Sequence, residues 1–284
     1  MTERERNETE YWILAAYDGS ASGYDALRWA VREARDRRTR LTVFLASDLA
    51  PPGKPPPRDA ARLAADRGER RLAEGLSYAE SVVGSSLMSV EVADEPPALA
   101  LCGRSKDAEM TVLGACGHSA LPGMLLGSVP WHVAAHGCGR IVVVRGTWTA
   151  VNADAGPIVA GVDGSPASQD ALTLAFEEAA LRRAPLEVVC ALADAPGVFG
   201  DVDQMEEEFD HAMTRQETVH PDIMAVRRLV PGSPRSSLMA VALEAQLLVI
   251  GARGRRGFND QILGSVALAM LHYSPCPVAI VKPS

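Results

Sequence analysis

Short apolar runs alternate along the chain with longer stretches whose apolar positions recur every three or four residues. Residues 13–17 form a continuous apolar run, the pattern of a strand buried on both faces of a parallel sheet. Asp18-Gly19-Ser20 follows as a turn and helix start, and Ala26, Leu27, Ala30, Val31 and Ala34 then recur at helical spacing. The same reading predicts strands at 41–46, about 87–93, 110–114 and 141–144. Helices are predicted over about 60–82 and 97–105, and from the loop after 114 to about 137. In the second half, strands are predicted near 158–162, 186–191, 224–230, 247–251 and 278–281. Strands alternating with helices imply βαβ units and a parallel sheet covered on both faces. Ligands of such sheets sit beyond the carboxyl ends of the strands, at a topological switch point.

The two halves are copies of one unit. Residues 13–27, ILAAYDGSASGYDAL, match 158–172, IVAGVDGSPASQDAL, at an offset of 145. Residues 112–117, VLGACG, match 249–254, VIGARG, at an offset of 137, and Gly127-Ser128-Val129 matches Gly264-Ser265-Val266 at the same offset. The difference, 145 − 137 = 8, puts extra residues in the first copy, around the Pro-rich 51–57 segment PPGKPPP. The pattern divides the chain into a charged N-terminal segment at 1–10, a first domain at 11–146, a linker at 147–156 and a second domain at 157–284. The linker TWTAVNADAG lacks hydrophobic periodicity and leads into Pro157.

Charge and composition narrow the function classes. With 36 Asp+Glu against 28 Lys+Arg, the 284-residue chain carries a formal charge of −8, which argues against a nucleic-acid polymer as partner. Its 47% hydrophobic content is that of a globular protein. The five cysteines include no Cys-x-x-Cys pair, the N-terminal MTERERNETE is no signal peptide, and no apolar run reaches about 18 residues. A cytoplasmic protein with reduced thiols is expected, with no membrane span.

Both copies close a strand with one glycine arrangement, G-x2-G-x9-G-S. It is Gly114-Ala115-Cys116-Gly117 with Gly127-Ser128 in the first, and Gly251-Ala252-Arg253-Gly254 with Gly264-Ser265 in the second. Glycines there let the backbone turn tightly and approach a ligand, and successive amides form an anion-binding concavity. The Gly-Ser pair opens a helix, whose N-terminal amides favour phosphate. The alternative is that these glycines only shape a strand–loop–helix turn. Asp18 and Asp163 are open to the same two readings, as ligand contacts or as caps.

These motifs, with the closing SPCPVAIVK at 274–282, resemble the universal stress protein family in its tandem form. The resemblance implies two flavodoxin-like α/β three-layer sandwiches of the adenine nucleotide alpha hydrolase-like type, each with a five-stranded parallel sheet. It implies ATP, with Mg²⁺ accompanying the triphosphate, and Asp163 and Asp18 at the adenosine end. Gly161 and Ala191 would line the adenine pocket in the second copy, and Ala16 and Ala46 in the first. Ile250, Gly251, Arg253, Gly254, Gly264, Ser265 and Val266 would cradle ribose and phosphates in the second. Leu113, Gly114, Cys116, Gly117, Gly127, Ser128 and Val129 would do so in the first. The last strands, 141–144 and 278–281, would pair with each other, and a homodimer is implied.

The copies differ where charge matters. Arg253, Arg255 and Arg256 in the second stand against Cys116 and His118 in the first, so weaker binding is expected at the first site. No GxxxxGK[ST], strand-linked GxGxxG or GxSxG occurs, and no evident general base adjoins either glycine loop. The sequence therefore points to a binding protein with a regulatory role in stress response. A slow ATPase or nucleotidyl transferase, and a scaffold that takes no nucleotide, are the alternatives. Three smaller readings stay open. His132 and His136 with Cys138 form either a zinc face or an ordinary helix face. Cys116 is a candidate redox thiol. Cys138 and Cys276 read as small buried residues.

Overall fold

The computed structural model describes residues 12–46, 58–93, 95–117, 125–145, 156–192, 202–255 and 263–282, with the side chains at 46, 58–67, 192 and 202–205 excepted. The 1–10 segment, the Pro-rich 51–57 segment and residues 147–155 of the expected linker lie outside the described residues. So do His118 and Arg256. The chain forms two compact units, Met1–Val133 and Ala134–Ser284.

Unit 1 carries β1 (Trp12–Tyr17), α1 (Ala21–Arg37), β2 (Arg40–Ala46), α2 (Arg58–Val83), β3 (Met88–Ala93), α3 (Pro97–Arg104) and β4 (Met110–Gly114), and the start of α4 (Ser128–His136). Its strands lie in the order β3-β2-β1-β4, all parallel. Unit 2 carries the rest of α4, then β5 (Arg140–Val144), β6 (Ile158–Val162), α5 (Pro166–Arg182), β7 (Leu186–Leu192), α6 (Val202–Val219), β8 (Ala225–Pro231), α7 (Pro234–Ala242), β9 (Leu247–Gly251), α8 (Ser265–Tyr273) and β10 (Val278–Val281). Its order is β5-β10-β9-β6-β7-β8, parallel except that β5 and β10 run antiparallel. This is the α/β architecture that the alternating pattern predicts. The last strands pair as the resemblance implies, Val142 opposite Ala279. The compact units therefore differ from the sequence repeats by one strand: β5 closes the first copy in sequence and sits in the sheet of unit 2.

Local chemistry fixes the helix ends in both copies alike. Ser20 Oγ accepts from the Gly23 N–H at 2.9 Å, and Ser165 Oγ from the Ser168 N–H at 3.3 Å, so these serines are the N-caps. Pro166 takes the first helical position, where its missing N–H costs nothing. Both helices end on an arginine in the left-handed region, Arg38 at φ 55° and Arg183 at φ 52°, whose N–H groups bond back into the last turn. One turn earlier, the buried carboxylates of Glu33 and Glu178 pair with Arg37 and Arg182.

The core of each unit lies between the parallel strands and α1 or α5. Gly114 and Gly251 keep strand and helix close: a Cβ on Gly114 would fall 2.5 Å from the Ser22 carbonyl oxygen, and one on Gly251 would fall 2.8 Å from the Ala167 carbonyl carbon. Tyr17 is buried, donates its hydroxyl to the Arg71 carbonyl at 2.6 Å, and has its ring against Gly75. Cys276 is buried, as its pattern suggests, but Cys138 is exposed. Cys138 falls in the turn before β5, where Gly139 adopts φ 68°, and the inward-facing positions begin only at Ile141.

Candidate functional site

In unit 2 the strand β6 sits between β7 on one side and β9 on the other. The chain leaves β6 toward β7 and β8, then crosses back to β9. The gap above the β6–β9 boundary is therefore a topological switch point. A cavity of about 400 Å³ lies there, within the range of small-molecule sites. Gly161, Ala191, Ile250 and Gly251 line it from the strand ends. Asp163 lines it from the turn after β6, and Arg253 and Gly254 from the loop after β9. Gly264, Ser265 and Val266 line it from the start of α8. All ten second-copy residues named from the sequence thus share one cavity.

The cavity lining combines two chemistries. Gly161, Val189, Ala191, Leu238 and Ile250 make an apolar floor and wall. Ile250 and Leu238 close over Gly161, since a Cβ on it would stand 2.9 Å from Ile250 Cγ2 and 3.0 Å from Leu238 Cδ1, and only glycine lets them come so near. The rest of the lining is largely polar and cationic. Three arginines belong to it, Arg235, Arg253 and Arg255, together with the N-terminus of α8. The cap residue of that helix is Gly264, extended at φ −63°, ψ 155°, and its N–H donates to the Ala252 carbonyl at 2.9 Å, which folds the loop back over β9.

Asp163 ties the two loops together. Its Oδ1 accepts from the Ser165 N–H at 3.0 Å, and its Oδ2 from the Arg255 N–H at 3.1 Å. A Cβ on Gly254 would meet Asp163 Oδ2 at 2.3 Å, so the loop glycine is what admits the carboxylate. Ser165 Oγ adds a bond to the Arg253 carbonyl at 3.3 Å. The Arg255 guanidinium pairs with Glu208 of α6. Cys190, on β7 nearby, has its thiol pushed up to about 11, first by burial and then by the Asp163 carboxylate.

The first copy repeats the scaffold. Asp18 Oδ1 accepts from the Ser20 N–H at 2.9 Å, and a Cβ on Gly117 would meet Asp18 Oδ2 at 2.8 Å. The Gly127 N–H donates to the Ala115 carbonyl at 2.7 Å, the counterpart of the Gly264 bond. The Cys116 N–H donates to Ser22 Oγ at 3.3 Å. Leu113 is buried, Ala16 and Val129 are half-buried and Ser128 is exposed. Ala46 ends β2, and its side chain is outside the described residues.

A sequence model of the Universal stress protein family matches residues 12–145 and again 155–282. The chain belongs to the universal stress protein family. It is 32% identical over 297 residues to a universal stress protein of Mycolicibacterium smegmatis, covering 98% of this chain and 99% of the relative. It is 31% identical over 289 residues to the Mycobacterium tuberculosis universal stress protein Rv2005c, covering 97% of this chain and 98% of the relative. Among solved structures, a universal stress protein from Archaeoglobus fulgidus superposes over 97% of this chain and 100% of its own, with a TM-score of 0.69 at 18% identity, which shows the shared fold.

Sequence reasoning missed part of the cavity. Arg235, Ser233 and Leu238 come from the start of α7, and Val189 from β7. Their only sequence signal is position, at or just after the carboxyl end of a strand. Among the described residues, no helix is long and apolar enough to cross a membrane, and no group of three His, Cys, Asp or Glu side chains stands together as a metal site.

Proposed function

We propose that this member of the family is a regulatory protein that binds ATP in the unit 2 cavity, with the first copy as a weaker counterpart. The observation that carries the reading is the cavity's lining, which joins apolar side chains to a cationic, amide-rich set. A nucleotide combines the matching chemistries. Its flat base suits Gly161, Val189, Ala191 and Leu238, and its phosphates suit the glycine loop, the α8 N-terminus and the three arginines. Mg²⁺ would accompany the triphosphate and neutralise part of its charge. Asp163 and Asp18 are proposed at the adenosine end, as the resemblance implies.

The ranking of the two copies rests on charge. Positions 235, 253 and 255 are arginine in the second copy; at an offset of 137 the first has Ala98, Cys116 and His118. The role proposed is binding, with the bound nucleotide altering conformation or partner contacts in a stress response. A homodimer in the cytoplasm is proposed with it, from the resemblance and the thiol composition.

The test is acid extraction of the purified protein for adenine nucleotide, followed by calorimetric titration with Mg·ATP. Arg253→Ala is expected to weaken binding about 10- to 100-fold, the worth of a charge-assisted hydrogen bond. Cys116→Ala should leave the principal binding event unchanged. Absence of co-purifying nucleotide together with a flat titration would refute the reading and favour a scaffold. Phosphate release over hours would move the protein to the slow ATPase alternative.

A further inference from the structure

The two sheets carry the same cross-strand row at the level of the cavity, and the residues in it differ. In unit 2 the row is Gly161–Val189–Arg228, across β6, β7 and β8. In unit 1 it is Ala16–Phe44–Glu91, across β1, β2 and β3. Residues in register on neighbouring strands project from the same face of a sheet. Gly161 and Val189 line the cavity, so this is the cavity face of the row. Phe44, the larger side chain, therefore stands in unit 1 where Val189 lines the cavity in unit 2, and both are buried, at 1% and 2% exposed.

The element above Phe44 supports the assignment. The α7 helix covers the cavity in unit 2 through Pro234, Arg235 and Leu238. Its counterpart in unit 1 is α3, whose last residue, Arg104, places its guanidinium 5.4 Å from the centroid of the Phe44 ring. Arg104 is held there by Glu91 of the same row and by Glu95 at 3.0 Å. Unit 2 has other residues at each of these positions. The position matching Arg104 is Val241, and Arg228, in place of Glu91, reaches Glu187 at 3.0 Å instead.

Resting on the nucleotide reading above, we propose that Phe44, roofed by Arg104 and flanked by Ala16, fills the first copy's base-binding space. At concentrations that fill unit 2 the chain then takes one nucleotide, and closure of the base-binding space adds to the loss of charge as the reason the first copy is the weaker site. Phe44 and Ala16 set the count.

Titration of the full chain with Mg·ATP tests this, with thermal unfolding confirming that each variant is folded. The wild-type chain is expected to saturate at one ATP. Gly161→Ala with Val189→Phe transplants the closed row into unit 2 and should weaken binding about 100-fold, since one methylene in an apolar pocket is already worth about 10- to 200-fold and this pair adds more. Ala16→Gly with Phe44→Val should add a second binding event, whereas Cys116→Arg alone should not. Two wild-type sites of comparable affinity, or undiminished binding by the Gly161→Ala, Val189→Phe chain, would overturn the proposal and leave the nucleotide reading standing. A folded Ala16→Gly, Phe44→Val chain that still takes one ATP overturns the assignment of the count to these residues. If that chain does not fold, the unit 2 variant decides. A wild-type chain that binds no ATP overturns the nucleotide reading and this proposal with it.

Discussion

Replacing Gly251 by alanine separates the packing role of the glycine motif from its role toward a ligand. The new Cβ would stand 2.8 Å from the Ala167 carbonyl carbon and 3.0 Å from its oxygen and its Cβ. Unstrained carbon contacts lie at about 3.5–4.0 Å, so β9 and α5 must part by about 0.5–1 Å. The obstructing atoms are mostly backbone at the first turn of α5, which the Ser165 cap holds in place. The cost belongs with core overpacking, about 1–3 kcal/mol. For a unit of this size, 2 kcal/mol corresponds to a fall in Tm of about 4–8 °C. Gly103→Ala is the control. Gly103 is exposed in α3 with nothing within 4 Å of an added Cβ. Alanine there should raise stability by about 0.5–1 kcal/mol through helix propensity. Calorimetric melting of the full chain without nucleotide reads both. A Gly251→Ala protein that melts at or above the wild-type temperature refutes the packing argument, and would mean that the glycine serves only ligand approach.

Three further outcomes are expected. Arg183→Gly should stabilise the chain by about 0.5–1 kcal/mol, because a side chain at φ 52° pays a left-handed penalty that glycine escapes; urea denaturation reads it, and an unchanged midpoint counts against it. Stability should fall in alkali. Burial pushes the Cys190 and Cys276 thiols up to about 11 and the Tyr17 phenol up to about 12. The unfolded chain therefore releases these protons at lower pH than the folded one. The stabilisation is whole below about pH 8.5 and is lost as pH rises through 11 and 12, and Tyr17→Phe should flatten the upper limb. A thiol reagent at neutral pH should label exposed Cys138 rapidly and buried Cys276 only on unfolding, as peptide mapping would show.

Local and lateral information were legible to different degrees. The strands came within a residue or two of their predicted positions: a continuous apolar run marks the buried central ones, while the mostly exposed edge strands β3 and β8, with Glu91, Arg227 and Arg228, show it only in part. The Ser20 and Ser165 caps, the Gly127 and Gly264 returns and the Asp163–Gly254 approach all lie within motifs whose spacing is visible in one copy and repeated in the other. The second-copy site residues were legible for the same reason, since three of the four segments that supply them carry a repeated signature.

The sequence by itself therefore determined the duplication, the alternation of strand and helix, the glycine loops and the charge difference between Arg253 and Cys116. Each of these is written in residues near one another along the chain, or in the match of one copy to the other. Tertiary structure alone decided which side chains meet across strands. It brought Arg235 of α7 into the cavity lining and put Phe44 and Val189 at equivalent places in their rows. Those meetings depend on strand register and helix crossing, set by the packing of many residues far apart in sequence, and no local pattern carries them. An apolar residue in a strand reads the same whether it closes a cavity or borders one.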